Sequence, residues 1–298
     1  MTITYKILKQ LNLSKKQCLV VIVFLGGLSL PAAMAQSPWH ASLGIQASLT
    51  ELRSNEAVIE NEQSSGGALN LGVGYALSDS WSLHSGVGIG YLKNNASLLN
   101  YSGIQNAVDL EGEAFEFRYN LRGYSENQRY TVASIPLVVQ YETNGTTRFY
   151  ARAGASYNIF LTSEAKSRAN SLTTTGFFEN LNAELEVPKF AGFGTFEDIS
   201  FAKQNFDIKN AVNATLELGI KQRLVAKQWL YIGFFVETGL NNLLKSNGES
   251  LLQYERESPT EFRVNPSLNA TNQDSGHALL NDAKFRSLGL KFWYSFNF

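Results

Sequence analysis

Residues 284–298 read KFRSLGLKFWYSFNF, and they alternate bulky apolar side chains with small or polar ones. Apart from Lys284 and Arg286, every even position is apolar: Leu288, Leu290, Phe292, Tyr294, Phe296 and Phe298. The odd positions include Ser287, Gly289, Lys291, Ser295 and Asn297. A period of two indicates a β-strand that turns one face toward an apolar medium and the other toward a polar one.

Seven earlier segments show the same period: 38–49, 68–77, 81–92, 130–142, 147–161, 210–224 and 229–241. In the second of them, Leu69, Leu71 and Val73 alternate with Asn70, Gly72 and Gly74. Tilted strands of about 9–11 residues span a bilayer, so each segment is long enough to do so. Pro136 lies within the fourth segment and cannot donate a ladder hydrogen bond, which predicts a bulge or bend there.

The connections between these segments alternate in length. Short connections lie at 78–80, 143–146 and 225–228, and one of them contains Asn144-Gly145, a strong tight-turn signal. Long connections lie at 50–67, 93–129, 162–209 and 242–283. Such alternation is typical of membrane barrels with periplasmic turns and external loops. We therefore predict an all-β fold, an eight-stranded antiparallel transmembrane β-barrel with long extracellular loops and both chain termini in the periplasm.

Two other architectures fit part of the pattern. In a soluble barrel or sandwich the apolar face would turn inward, but glycine and serine crowd the polar face here, as a narrow interior requires. A ten-stranded barrel is the second rival, because Phe115, Phe117, Tyr119 and Leu121 alternate with polar residues. We instead expect those residues to form a hairpin above the membrane, with a turn at 124–127 before the fourth strand.

The beginning of the chain resembles an export signal. Residues 1–35 contain four lysines, no acid, a short apolar run and a final Ala33-Met34-Ala35, which together predict a cleaved signal peptide. Cleavage would leave one barrel domain, 36–298, that starts at Gln36. Of 25 basic residues 21 would remain against 26 acidic ones, a net charge of −5, which does not favour nucleic-acid binding. These features predict the outer membrane of a Gram-negative bacterium.

Residues 129–142, RYTVASIPLVVQYE, resemble the Ile-Pro-Leu strand of the Bacteroidota outer-membrane β-barrel family, which includes PorT-like proteins. Residues 152–166, RAGASYNIFLTSEAK, resemble the strand that follows it in that family. Ser134 departs from the pattern, because the family strand commonly has a glutamate there. The resemblance implies an outer-membrane barrel and, through PorT, a link to protein secretion.

The resemblance to outer-membrane barrels also gives the aromatic terminus a role as an assembly signal. The barrel assembly machinery would recognise Phe292, Tyr294, Phe296 and Phe298 during insertion. Inside an eight-stranded barrel there is room for side chains or one small ligand. Counting residues from the short turns places Glu217, Glu237 and Lys291 at similar heights, with Arg152 and Lys221 just below them. We predict that these five residues form a structural ionic cluster in the lumen.

No motif predicts catalysis, a cofactor or a metal site. His40 and His84 lie on inward faces near the same end and could form a pair, whereas His277 lies in the last loop. We therefore predict a non-enzymatic protein that contacts outer-membrane lipid and acts structurally or through a protein partner at its extracellular loops. A component of a secretion or transport assembly is the alternative, and a membrane enzyme is less favoured. The third loop is rich in phenylalanine, which predicts either a cap over the barrel or a docking surface: Phe177, Phe178, Phe190, Phe193, Phe196 and Phe201.

Overall fold

The computed structural model describes residues 38–54, 59–225, 227–272 and 277–297. The predicted signal peptide, Gln36 and Phe298 lie outside the described residues. Eight long strands of the twelve-stranded main sheet form its ring: β1 Trp39–Arg53, β2 Ser64–Ala76, β3 Trp81–Val108, β4 Ala114–Glu142, β5 Thr147–Phe178, β6 Ala211–Val225, β7 Gln228–Gly239 and β8 Lys284–Asn297.

The main sheet closes into a ring of eight antiparallel strands. Each strand pairs with the next along the chain, and β8 pairs with β1, with His40 opposite Asn297 and Arg53 opposite Lys284. The ladder between β5 and β6 places Glu217 directly opposite Arg152. Closure gives every ring strand two neighbours, which removes the exposed edges that an open sheet would have. The chain is therefore an all-β barrel, as the alternating segments predict.

The two faces of the barrel wall differ as the period of two requires. Leu216, Ile232 and Leu290 point outward and are 51%, 47% and 46% exposed, so the apolar face surrounds the barrel rather than filling it. The inward face carries glycine where space is short. A Cβ atom added at Gly44 would collide with the indole ring of Trp293. Such an outer surface suits a hydrocarbon environment, and the small inner residues make room for larger neighbours.

Short turns close one end of the barrel, which we call the short-turn end. The turn after β2 is held by the amide of Leu77, which donates to the carbonyl of Trp81 over 2.9 Å. The turn after β4 places Gly145 at a φ of 126°, a backbone conformation that favours glycine. The opposite end, which we call the long-loop end, carries the long connections.

At the long-loop end, β3, β4 and β5 continue far beyond the other strands. Residues 93–129 and much of 162–209, predicted as loops, are therefore mainly strand. The expected turn at 124–127 is wrong, because Asn127 pairs with Asn95 within a continuous ladder. The β3–β4 hairpin turns at 109–113, where the carboxylate of Asp109 accepts hydrogen bonds from the amides of Glu111 and Glu113 at 2.9 and 2.8 Å.

The projecting strands and the last long connection form a packed unit, which we call the extension (residues 93–129, 162–209 and 240–283). Leu251 and Leu252 of the last connection are fully buried and belong to the same core as Phe117 and Leu121 of β4. The carboxylate of Glu126 fixes that connection, since it accepts hydrogen bonds from the amide and hydroxyl of Ser267 at 3.1 and 2.9 Å. The extension thus has a hydrophobic core above the barrel, and this core continues into the barrel through Tyr130, Phe160 and Phe285.

Two further features complete the fold. Short strands lie at Glu60–Glu62, Ala183–Leu185, Gly194–Ser200, Gln204–Asn205, Leu252–Gln253, Arg263–Val264, Thr271–Asn272 and His277–Ala278, and single 3₁₀ turns lie at Glu179–Leu181 and Lys189–Ala191. Within the described ranges, no helix has the length and apolar character needed to cross a membrane.

Candidate functional site

The barrel interior brings the five predicted cluster residues into one region. Glu217 and Lys221 lie on β6, Arg152 on β5, Glu237 on β7 and Lys291 on β8, and all five side chains point into the lumen. Four of them have relative exposures of 4–8%, and the side chain of Glu237 is 16% exposed. Adjacent strands with matched registers therefore place these charges at neighbouring heights.

Glu217 connects two of the cations. Its Oε1 lies 3.3 Å from the Arg152 guanidinium and accepts a hydrogen bond of 2.7 Å from the Tyr150 hydroxyl. Its Oε2 lies 3.9 Å from Lys291 Nζ, while the same ammonium lies 3.2 Å from Glu237 Oε1. Buried charges are stable only when they are compensated, and each of these groups has an opposite charge within reach.

Lys221 does not pair with either predicted acid. Its ammonium lies 3.0 and 2.9 Å from the two carboxylate oxygens of Glu142, which also forms an ion pair with Arg148. Gln140 joins the two halves, because it accepts a 2.6 Å hydrogen bond from Arg152 and donates a 2.5 Å bond to Glu142. The sequence prediction missed Glu142 and Gln140. Both residues have even numbers in a segment whose odd residues, Val139 and Tyr141, face outward. This alternation would have placed Gln140 and Glu142 on the inward face.

Aromatic rings surround these cations, a feature that the sequence prediction also missed. The Arg152 guanidinium lies 5.0 Å from the ring centroid of Tyr231 and 5.5 Å from that of Trp293. Lys221 Nζ lies 4.6 Å from the Trp229 ring, and Lys291 Nζ lies 4.2 Å from the Phe235 ring. Cation–π attraction grows when the cation is desolvated, so these rings stabilise the charges and fill the lumen.

A cavity of about 110 Å³ lies between this layer and the extension. Three buried polar atoms of its lining side chains have no hydrogen-bond partner among the described residues: Asn70 Nδ2, Asn213 Oδ1 and Trp293 Nε1. A polar cavity of this size accommodates water molecules that satisfy such groups. Phe160 and Phe285 line its far side and pack on Tyr130, with ring centroids 5.3–5.9 Å apart. Two layers of side chains therefore obstruct the lumen.

The two inward histidines meet near the short-turn end. The rings of His40 and His84 are 4.9 Å apart in an edge-to-face arrangement, and Ser82 Oγ lies 2.9 Å from His84 Nε2. In the described part of the chain, no carboxylate is within hydrogen-bond distance of either imidazole, and no group of three potential metal ligands is found. His277 lies apart from them, in the extension. A serine–histidine contact without an orienting acid is an incomplete catalytic arrangement.

The predicted assembly signal lies on the outer face of β8. Phe292, Tyr294 and Phe296 are each 38% exposed and follow one another at alternate positions. Phe298 is outside the described residues. Recognition of this face by an assembly factor stays a prediction.

The phenylalanines of the third connection have different environments. Phe178, Phe193 and Phe201 are buried in the core of the extension, whereas Phe190 is 79% exposed. Burial in the same core also raises the pKa of the Tyr124 hydroxyl well above its usual value. Phe178, Phe193 and Phe201 therefore serve packing, whereas Phe190 is available at the surface.

Most of the chain is similar to known outer-membrane proteins. Residues 20–214 match a family model described as outer membrane protein beta-barrel domain, and no curated protein matches the chain. Neisserial surface protein A is 8% identical over 88% of this chain and 98% of its own, with a TM-score of 0.33. Ail of Yersinia pestis is 9% identical over 86% and 98%, with a TM-score of 0.31. OprG of Pseudomonas aeruginosa is 12% identical over 87% and 96%, with a TM-score of 0.33.

Proposed function

This chain belongs to the outer membrane protein β-barrel domain family, and we propose from that membership that it is a non-enzymatic outer-membrane anchor whose extension binds a protein partner outside the cell. The family supports an integral outer-membrane protein. The extension supports the narrower role, because its strands and connections pack into one hydrophobic core that continues into the barrel, rather than forming separate loops. Rigid elements hold a binding surface more accurately than mobile loops do.

We infer the orientation from the two ends of the barrel. The described chain begins and ends at the short-turn end, where Trp39 opens β1 and Asn297 ends β8. In outer-membrane barrels the short turns face the periplasm and the long loops face outward. The extension would then lie outside the cell and both termini in the periplasm. Cleavage by an added protease in intact cells, at a site engineered into the exposed turn at Gly112, tests this orientation.

The obstructed lumen supports an anchoring role over a channel role. The ionic layer around Glu217 and the aromatic layer at Tyr130, Phe160 and Phe285 both cross the interior. Barrels of eight strands enclose little more than their own side chains. We also propose that the ionic cluster is structural, because each of its charges has a compensating partner.

The tip of the extension offers the surface for a partner. Exposed apolar side chains gather there, on the β3–β4 turn and on the segment after β5: Val108, Leu110, Leu181, Leu185, Val187 and Phe190. The β4 strand runs about 50 Å from Arg129 to Ala114 at its usual rise, so the tip is far from any lipid surface. Exposed apolar patches away from lipid mark protein interaction sites.

Capture from detergent-solubilised membranes tests this role. The unchanged chain should retain a stoichiometric protein partner, and Leu181→Ser with Phe190→Ser should release it. Leu99→Ser is the matched control, because Leu99 is 89% exposed but lies on the side of β3 rather than at the tip. Equal capture by all three proteins, or no partner with the unchanged chain, would contradict partner binding through the tip.

The narrower PorT-like assignment remains an alternative proposal, supported by the Ile-Pro-Leu motif at 135–137. Under that alternative the captured partner would be a component of a secretion assembly, and loss of the gene would block secretion of its cargo. A partner unrelated to secretion would favour the anchor role alone.

A further inference from the structure

A group of cations lies on the outer face of the extension, next to the apolar band of the barrel. Tyr91 and Thr131 are opposite each other and form an outward row near the end of that band. The next row places Lys93 opposite Arg129, two residues further along each strand. Lys166 and Arg168 of β5 follow, opposite Asn127 and Ser125. We call Lys93, Arg129, Lys166 and Arg168 the basic face.

The charges of the basic face are only partly compensated within the described residues. None of its four cations forms an ion pair there. Glu164 of β5 lies directly opposite Arg129 in the ladder, but its carboxylate is engaged by Lys203 at 2.9 Å. Arg129 and Arg168 donate only to neutral groups, Asn127 Oδ1 at 3.2 Å and Ser125 Oγ at 3.0 Å. Like charges directly opposite in a sheet destabilise it, as Lys93 and Arg129 do. An external anion would remove that cost.

Neutral donors and three of these cations line one groove. The groove has a volume of about 550 Å³, and its walls include Arg129, Lys166 and Arg168 together with short polar side chains: Asn95, Ser97, Ser125, Asn127 and Ser200. Two acids also line it. Glu62 lies at its edge, while the carboxylate of Glu126 is only 1% exposed and bonds inward to Tyr124 and Ser267. Guanidinium, ammonium, hydroxyl and amide groups in one concave surface are a phosphate-binding set.

The position of the basic face along the barrel axis, just beyond the apolar band, favours a lipid headgroup as the phosphate ligand. Successive outward rows are about 7 Å apart along a strand, so its three rows cover the layer just beyond Tyr91. The headgroup layer adds about 5–7 Å on each side of the hydrocarbon core, and phosphorylated sugars of an outer-leaflet lipid extend further. Basic residues next to the lipid surface bind anionic headgroups.

We propose that the basic face binds the phosphate groups of an anionic, phosphorylated glycolipid in the outer leaflet. This inference rests on the proposed orientation, which puts the extension outside the cell. Arg129, Lys166 and Arg168 would hold the phosphates in the groove, and Lys93 would lie at its lipid-facing border. The lipid would thereby attach to one side of the barrel, along β3, β4 and β5.

Binding of diphosphoryl lipid A to the purified full-length chain in detergent micelles tests the proposal. The unchanged chain should bind this lipid at least about tenfold more tightly than the dephosphorylated lipid. Arg129→Gln, Lys166→Gln and Arg168→Gln together should lower the affinity by about tenfold to a hundredfold, since each basic residue near a lipid surface contributes up to about fivefold in affinity. Retention of the heat-resistant folded band would show that the variant still folds.

A matched control removes three cations on the opposite side. Arg53, Lys284 and Arg286 lie on β1 and β8 near the same end of the barrel, and the first two are already paired with Glu51 and Asp282. Their triple glutamine variant should bind the lipid within about twofold of the unchanged chain. An equal loss in both triple variants would overturn the proposal, because general charge would then explain the binding.

Two further measurements distinguish a lipid site from a free-anion site and from a protein-binding site. Inorganic phosphate at millimolar concentration should not displace the lipid, and displacement would indicate a free-anion site instead. Partner capture should be unchanged in the basic-face variant, and its loss would indicate that this surface holds the protein partner. If the extension lay in the periplasm, the protease experiment would show it and would contradict the proposed function, but the lipid titration would be unaffected. Failure of the proposed function can therefore be distinguished from failure of the lipid proposal.

Discussion

Replacing Lys291 by methionine should destabilise the folded barrel by about 3 kcal/mol. The ammonium lies 3.2 Å from Glu237 Oε1, and the two side chains are 11% and 16% exposed. Two unit charges at that separation attract by about 5 kcal/mol at an effective dielectric constant of about 20. Methionine preserves the length and the apolar stem but leaves the Glu237 carboxylate without its partner. Removing one member of a buried pair costs about 3–5 kcal/mol.

The expected loss of stability is at the lower end of this range of about 3–5 kcal/mol because Glu217 keeps other partners. Its contact with Lys291 is longer, 3.9 Å, and it keeps Arg152 at 3.3 Å and the Tyr150 hydroxyl at 2.7 Å after the substitution. Only one carboxylate is therefore left uncompensated. For the same reason Glu237→Gln alone should cost about 1 kcal/mol, because Lys291 retains Glu217.

Urea unfolding of the barrel in lipid vesicles measures these changes, with the fluorescence of Trp229 and Trp293 as a signal from the lumen. The double variant Lys291→Met with Glu237→Gln should be less destabilised than the sum of the single variants by about 1–2 kcal/mol, because the pair is removed as a unit. An unchanged unfolding midpoint for Lys291→Met would refute the reasoning. Strict additivity would show instead that the two side chains do not interact.

Three further predictions concern the extension and the histidine pair. Leu252→Ala should destabilise the core of the extension by about 2–5 kcal/mol and expose residues 240–283 to limited proteolysis, while the barrel keeps its heat-resistant band. Burial raises the pKa of the Tyr119 and Tyr124 hydroxyls, so the extension is fully stable below the unfolded tyrosine pKa of about 10 and loses stability as the pH rises above it, which circular dichroism and tyrosinate absorbance would follow. A fluorophosphonate probe should label the unchanged chain no more than Ser82→Ala, and selective labelling of Ser82 would support the enzyme alternative.

The sequence predicts the barrel wall well because lipid imposes a simple rule on it. Most outward side chains in the band must be apolar, so residues such as Leu216, Ile232 and Leu290 recur with a period of two. The same rule places Arg152 and Glu217 on the inward face, and antiparallel pairing brings them opposite each other. Their contact follows from register and needs no knowledge of distant loops.

The extension could not be predicted in the same way, because water surrounds it. Its outward residues are polar and its inward ones mixed, so the strands of 93–129 share their composition with loops. Tyr124 and Asn127 lie where a turn was expected, yet continuous pairing with β3 overrides that local preference. The packing of Leu252 against β4 joins residues far apart in sequence, and no periodicity encodes it.

Two details of the wall also differ from the pattern. Trp293 is as bulky as its outward neighbours, but it points into the lumen beside Arg152, where only the small size of Gly44 makes room for it. Pro136 was expected at a bulge. The β3–β4 register is the same on both sides of it, and the hydroxyl of Ser85 donates to its carbonyl over 2.8 Å. A side-chain hydrogen bond thus compensates for the interrupted ladder without an inserted residue.

The order of layers along the barrel axis explains why the lumen contains charges at all. An apolar filling would leave the inward polar atoms of Asn70 and Asn213 without water, whereas the ionic layer borders a polar cavity that can hold it. Phe160 and Phe285 border this cavity and belong to the hydrophobic core that continues into the extension. A solute crossing the barrel would have to separate the Arg152–Glu217 pair and also displace the aromatic layer. Each step exposes groups that the fold has compensated, so the interior resists opening and stabilises the extension above it.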